Sequence, residues 1–170
     1  MESLGEVLAE LEKKGSEGTR KTLARHGVTG EMFGVRVGDL KVIAKKIKGK
    51  QELAYELYET GNYDAMYLAG IVVDGSRMTK RQIEAWAKSA PCDPIAAYIV
   101  PWVATESPWA RELALKWIGS KSERIATSGW NTYAGILATT DDAELDLGEI
   151  KELLGRVMEK IVTAPNRVRY

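Results

Sequence analysis

ELAYELYETGNYDAMYLAGIVVD, residues 52–74, is the stretch of the chain that decides its fold. Residues 51–60 favour a helix, and Gly61-Asn62 ends it, because both residue types are poor helix formers that favour turns. Residues 63–73 are nearly all apolar, which is typical of a helix that is buried on most of its sides. Two helices joined by such a short turn form a helical hairpin.

The same helical periodicity extends in both directions along the chain. Residues 4–11 place leucine and valine on one helix face, and Gly15 ends that helix. Pro101 predicts a kink or a break, and Ser107-Pro108 predicts a helix start with serine as the cap and proline in the first turn. The other predicted helices cover residues 17–26, 37–48, 79–88, 94–104, 107–118, 122–138 and 148–162, with a further helix that begins at Pro165.

This pattern predicts an all-α fold, because no sustained alternation of apolar and polar residues indicates a strand. Consecutive helices form pairs of 35–45 residues, so we predict a HEAT-like α-α superhelix (solenoid) of stacked antiparallel helical hairpins. A compact helical bundle is the alternative architecture. We expect residues 1–170 to form a single helical-repeat domain that lacks its C-terminal helices, because the last helix has only just begun at Arg169 and Tyr170.

Composition excludes several classes of function. One cysteine, Cys92, and one histidine, His26, are too few for a zinc site or a disulfide, so we expect no metal and no cofactor. No Ser-His-Asp arrangement is credible around His26 alone. The chain shows no signal peptide and no apolar run long enough to span a membrane, which predicts a cytoplasmic protein. Lysine and arginine (24) balance aspartate and glutamate (24). Residues 1–50, however, hold 11 basic and 7 acidic residues, so a basic face is compatible with a neutral total.

A lysine-rich segment is the clearest candidate for binding a polyanion. Lys41, Lys45 and Lys48 are spaced at i, i+4 and i+7, so one face of the helix 37–48 could contact phosphates. An ordinary solvated lysine face would show the same spacing. The complete set of candidate DNA-binding residues is Arg36, Lys41, Lys45, Lys46, Lys48, Arg167 and Arg169.

Several stretches together resemble the bacterial DNA alkylation repair proteins, in particular the short branch of that family. The resemblance implies a HEAT-like α-solenoid that binds duplex DNA and, in its characterised members, removes N3- or N7-alkylated purines as a DNA glycosylase. Active members use two tryptophans and one aspartate for this reaction. The stretches that carry the resemblance are GSEGTRKTLARHG (15–27), MFGVRVGDLKVIAKKIK (32–48), residues 52–74, SPWARELALKWI (107–118), GWNTYAGILA (129–138) and TAPNRVRY (163–170).

The resemblance implies two catalytic candidates in this chain. Trp130 matches the second tryptophan, although a helix-packing role suits it equally well. The family motif Trp-Asp-x-x-Asp falls where this chain has APCDPIAA, residues 90–97, with Asp93 as its one acid. If Asp93 matches the first aspartate, Cys92 replaces the tryptophan and Ala96 the catalytic aspartate. If it matches the second, Ser89 replaces the tryptophan. Asp93 between two prolines could also be a helix N-cap.

We therefore predict a monomeric, DNA-repair-related protein that binds duplex DNA through basic side chains. The incomplete Trp-Asp-x-x-Asp motif leaves glycosylase activity open. The alternative is a non-catalytic helical-repeat scaffold that binds a protein partner with the same surface.

Overall fold

The computed structural model describes residues 3–169 and shows only helices, turns and loops there, so the predicted all-α class is confirmed. The last residue of the TAPNRVRY stretch, Tyr170, lies outside the described residues. A helix predicted from the sequence overlaps each α-helix of the described chain. The α-helices are α1 Leu4–Lys14, α2 Glu17–Arg25, α3 Val37–Lys46, α4 Gln51–Glu59, α5 Tyr63–Val72, α6 Lys80–Ser89, α7 Val100–Glu106, α8 Ala110–Ile118, α9 Glu123–Thr139, α10 Leu147–Lys160 and α11 Asn166–Arg169.

Polar caps set where several of these helices begin. The Asn62 side chain accepts hydrogen bonds from the backbone N–H groups of Asp64 and Ala65 at the start of α5. Thr79 and Gln82 form a reciprocal capping box at the start of α6. These caps satisfy N–H groups that have no partner inside the helix.

The start of α8 differs from the prediction. Ser107 was expected to cap the helix directly, but α8 begins later, at Ala110. The Ser107 hydroxyl donates a hydrogen bond to the carbonyl of Ala104, 2.7 Å away, which ties this serine to the end of α7. A turn closed by the hydrogen bond from Ala110 N–H to the Ser107 carbonyl (3.2 Å) therefore comes before the helix.

The kink expected at Pro101 takes the form of a π-helical turn, Ile95–Ile99, which leads directly into α7. The Val100 N–H donates to the carbonyl of Ile95, five residues earlier, and Pro101 has no N–H to donate. The widened turn therefore stands immediately before the proline, and Tyr98 lies within it.

The hairpins stack into two layers, which confirms the predicted HEAT-like solenoid. Pairing occurs most extensively between α4 and α5 and between α8 and α9. Helices α3, α5, α7, α9 and α11 pack side by side and form what we call the odd layer. Helices α4, α6, α8 and α10 form the even layer, in which each helix interacts with the next through side chains such as the stacked rings of Tyr58 and Trp86.

A continuous apolar core lies between the layers and runs from α1 to α8. Its fully buried side chains include Leu11, Ile43, Leu57 and Leu68. A smaller cluster joins α8, α9 and α10 and includes Tyr133. None of the helices in the described part of the chain is both long and apolar enough to cross a membrane.

Candidate nucleic-acid interface

Lysines occupy the solvent side of α3 because its apolar residues face the core. Leu40 and Ile43 are buried, whereas Lys41 and Lys45 are exposed. Lys48 is also exposed but follows the end of α3, in a turn that contains Gly49 at φ +79°. The predicted face therefore consists of two helical lysines and one turn lysine.

Most of the five predicted DNA-binding cations between residues 36 and 48 have no acidic partner in the described part of the chain. Lys46 forms an ion pair with Glu10, with 2.8 Å between Nζ and Oε1, so part of its charge is neutralised. The other four, which we call the α3 cations, form no ion pair within residues 3–169. They are Arg36, Lys41, Lys45 and Lys48.

Two lysines of the even layer are neutralised, in contrast. Lys80 pairs with Glu112, and Lys116 pairs with Glu84 across the gap between α6 and α8. The Lys116 ammonium holds the pKa of the Glu84 carboxyl below its usual value. A polyanion would have to displace these carboxylates, whereas the α3 cations are free to bind it.

Asp93, the predicted catalytic acid, has both carboxylate oxygens engaged by arginines. Arg124 Nε lies 3.1 Å from Oδ1 and Arg167 Nε lies 3.2 Å from Oδ2. We call this arrangement the Asp93 bridge, because it joins the segment before α7 to α9 and α11. The side chain is not a helix N-cap, since Asp93 already lies in the helical segment that follows Cys92. Arg167, predicted to contact DNA, is thus a partner of the predicted catalytic acid.

Neither alignment of the Trp-Asp-x-x-Asp motif supplies the motif's tryptophan or a second carboxylate beside Asp93. Cys92 is buried at 1% exposure, so this position faces the core. Ala96 is completely buried, and its carbonyl accepts a 2.7 Å hydrogen bond from the Ser128 hydroxyl. Ser89, the position that the other alignment offers, is exposed and carries only a hydroxyl.

Trp130 lies apart from the Asp93 bridge, on a half-buried face of α9. It lines a cavity of about 540 Å³ between α9, α10 and α11, together with Arg156, Lys160 and Arg169. Asp93 does not line this cavity. The structure therefore brings Trp130 together with one predicted DNA-binding residue, Arg169, but not with the α3 cations.

A second cavity, of about 570 Å³, lies on the odd layer between α7 and α9. Tyr98 and Trp102 form part of its wall, with exposed fractions of 53% and 46%. Their ring centroids are 6.5 Å apart, and the Trp102 ring makes an edge-to-face contact with Tyr67 of α5 at 5.8 Å. Tyr63 continues the row at 6.1 Å from Tyr67. We call these four residues the aromatic strip.

The aromatic strip is absent from the predicted site residues, although the sequence carries a signal for it. Tyr63 and Tyr67 are spaced at i, i+4, and so are Tyr98 and Trp102, which places each pair on one helix face. Burial raises the pKa of the Tyr63 and Tyr67 phenols above the usual value of 10.0.

Comparison with known proteins defines the family. Residues 7–164 match the family model described as DNA alkylation repair enzyme. The chain belongs to this family. The resemblance seen in the sequence is thereby confirmed.

Individual relatives are similar along nearly the whole chain. An uncharacterised protein of Listeria innocua is 29% identical over 174 residues, covering 95% of this chain and 71% of the relative. An uncharacterised protein of Listeria monocytogenes is 28% identical with the same coverage. One solved structure superposes with a TM-score of 0.93 at 38% identity over 98% of this chain and 71% of that chain. It is described as a new family of proteins related to the HEAT-like repeat DNA glycosylases with affinity for branched DNA structures.

Proposed function

We propose that this member of the DNA alkylation repair family binds branched DNA and that the α3 cations hold one of its duplex arms. The observation that carries the proposal is the solved relative at 38% identity, whose description includes affinity for branched DNA. The unpaired α3 cations support it, because each lysine or arginine that meets a phosphate releases a condensed counterion and so favours binding. Side chains of this kind position a nucleic acid without reading its bases.

We also propose that the protein does not excise alkylated bases at a useful rate. Excision of a cationic purine needs an aromatic face beside the charged base and a free carboxylate near the sugar as positive charge develops there. Asp93 is held by two arginines, Ala96 has no carboxylate, and the first tryptophan is absent. Catalysis by Asp93 with Trp130 thus remains a prediction from the resemblance. The contacts of Asp93 with two arginines do not favour it.

The test of DNA binding compares a branched and an unbranched substrate that share arm sequences. A three-way junction and a linear duplex with the same arms are titrated with the protein at low salt, and binding is followed by fluorescence anisotropy. We expect the junction to bind more tightly than the duplex. Binding of neither would contradict the proposal and would favour the helical scaffold for a protein partner.

The test of excision measures base release from a methylated duplex. The wild-type chain is compared with Asp93→Asn, Trp130→Ala and a no-protein blank. We expect all three proteins to match the blank. Release by the wild type that both substitutions abolish would establish the pair as catalytic and overturn this part of the proposal.

A further inference from the structure

The aromatic strip presents ring surface to solvent where a helical-repeat protein normally presents polar residues. Trp102 is 46% exposed and Tyr98 is 53% exposed, and both line the cavity between α7 and α9. The edge-to-face contact with Tyr67 restrains the Trp102 ring, so little side-chain freedom remains to be lost when a flat ligand stacks on it. Large exposed aromatic rings beside a cavity mark an interaction site.

The lining of this cavity favours a neutral, flat ligand over a phosphate. Arg167 is the one cation among its described lining residues, and it is already paired with Asp93. Glu106 adds a carboxylate to the same wall. A phosphate would be repelled by that carboxylate, whereas a nucleobase carries no charge.

The cavity wall also offers hydrogen-bonding groups suited to the edge of a base. The Asn131 side-chain amide donates to the Ala97 carbonyl at 2.7 Å. This orientation leaves the side-chain carbonyl of Asn131 as an acceptor, for which the exocyclic amino group of a base is a suitable donor. The Thr105 hydroxyl of the same wall donates to the Pro101 carbonyl at 2.7 Å and so offers the ligand an acceptor only.

We propose that Trp102 and Tyr98 stack on an unpaired nucleobase at the branch point of the bound DNA. This inference rests on the proposed function, since it names the part of a branched DNA that the cavity takes. Fully paired duplex has no exposed base face to offer, so stacking at this site distinguishes a branched DNA from a linear one. Base-aromatic stacking tolerates any base, so the site selects for unpaired structure and not for sequence.

The experiment uses a three-way junction with one unpaired 2-aminopurine at its branch point. Stacking on an aromatic ring quenches the fluorescence of this base analogue. We expect the wild-type chain to quench it and Trp102→Ala to lose both the quenching and about 10-fold in junction affinity, the order of magnitude of one base-aromatic stack. Binding of the linear duplex should be unchanged by the substitution.

Two further variants separate the loss of stacking from a general disturbance. Trp102→Phe keeps a ring and should retain part of the quenching. Trp109→Ala removes another tryptophan, 39% exposed beside α8 of the even layer, and should behave as the wild type does. Circular dichroism melting of each variant confirms that it is folded.

The outcomes distinguish this inference from the function on which it rests. If the wild type binds the junction but Trp102→Ala binds and quenches equally well, the stacking site is wrong while DNA binding stands, and the strip is assigned to an apolar protein segment instead. If the wild type binds no DNA, the proposed function and the stacking site are both wrong.

Discussion

At the scale of single residues, one buried carboxylate organises the segment before the α3 cations. Asp64 is fully buried in α5 and accepts hydrogen bonds from the backbone N–H groups of Phe33, Gly34 and Val35 at 2.7, 2.9 and 2.9 Å. Gly34 adopts a φ of +78°, and a Cβ there would lie 2.6 Å from the Ser16 carbonyl oxygen. The carboxylate therefore fixes the loop that leads into α3, and so the position of the lysines that α3 carries.

Asp64→Asn should destabilise the protein by about 2–4 kcal/mol. The asparagine amide keeps one acceptor oxygen, but its NH₂ group replaces the other oxygen and cannot accept a hydrogen bond. At least one backbone N–H group is therefore left without its acceptor. Urea denaturation followed by circular dichroism measures the free energy of unfolding. Asp39→Asn is the matched control, because Asp39 forms only a partly exposed ion pair with Lys14 and its loss should cost about 1 kcal/mol or less. Equal effects of the two substitutions would contradict the structural role of Asp64.

At the scale of helices, glycine sets how closely α9 approaches α8. A Cβ at Gly129 would lie 2.5 Å from the backbone nitrogen of Ile118 and 2.8 Å from the backbone carbon of Trp117. Backbone atoms cannot move aside as a flexible side chain can, so the helices would have to separate. The Ser128-Gly129-Trp130 segment that supports the resemblance to the glycosylases therefore has a packing reason of its own.

Gly129→Ala should destabilise the protein by about 1–3 kcal/mol because it forces α8 and α9 apart. Gly155→Ala is the control on α10, where nothing lies within 4 Å of the added Cβ. There alanine should stabilise the helix by up to about 1 kcal/mol, through its higher helix propensity. The midpoint of thermal unfolding should thus shift in opposite directions for the two variants. A Gly129→Ala midpoint at or above the wild-type value would show that this glycine does not set the distance between α8 and α9.

The Glu149 carboxylate joins α10 to α8 and α9. Glu149 on α10 accepts from Arg111 of α8, with Oε2 2.7 Å from Nη2, and from the Tyr133 hydroxyl of α9 at 2.8 Å. Hydrogen bonds from the Arg111 guanidinium hold the pKa of the Glu149 carboxyl below its usual value. Burial, together with the hydrogen bond to this carboxylate, raises the pKa of Tyr133 to about 12.

Glu149 should make the free energy of unfolding fall more steeply with decreasing pH than a carboxylate without partners would. Its pKa is lower in the folded chain than in the unfolded chain, so it adds stability above a pH of about 4.5 and this contribution disappears as the pH falls through its folded pKa. Glu149→Gln should therefore lower stability by about 1 kcal/mol at pH 7 and less at pH 3. Urea denaturation at both values measures the difference, with the exposed Glu152→Gln as the control. A pH-independent effect of Glu149→Gln would contradict this account.

At the scale of the whole molecule, the distribution of charge matters more than its sum. The chain is neutral in total, yet within residues 3–169 the α3 cations form no ion pair, whereas Lys80 and Lys116 of the even layer do. The α3 cations can therefore attract a polyanion locally, although the net charge of the chain is zero.

Replacing Lys41, Lys45 and Lys48 by glutamine should weaken DNA binding and reduce its dependence on salt. Each lost phosphate contact lowers the slope of log affinity against log salt by about 0.9, so three contacts remove about 2–3 from it. Lys80→Gln with Lys116→Gln, on the even layer, removes lysines that are paired with carboxylates and should leave the slope unchanged. Junction binding from low to moderate salt gives the slopes. Equal slopes for the two variants would place the phosphate contacts elsewhere.

The helices, most of their ends and the exposure of Lys41 and Lys45 could be predicted from the sequence, because each depends on residues within a turn or two along the chain. The resemblance to the alkylation repair family came from longer stretches read in order, and it is confirmed.

The site was decided by tertiary structure. Asp93 meets Arg124 and Arg167 only because successive hairpins stack. The aromatic strip likewise forms when α5 and α7 lie side by side in the odd layer. Contacts between residues tens of positions apart depend on how helices pack, and packing is a property of the assembled core that no local pattern contains.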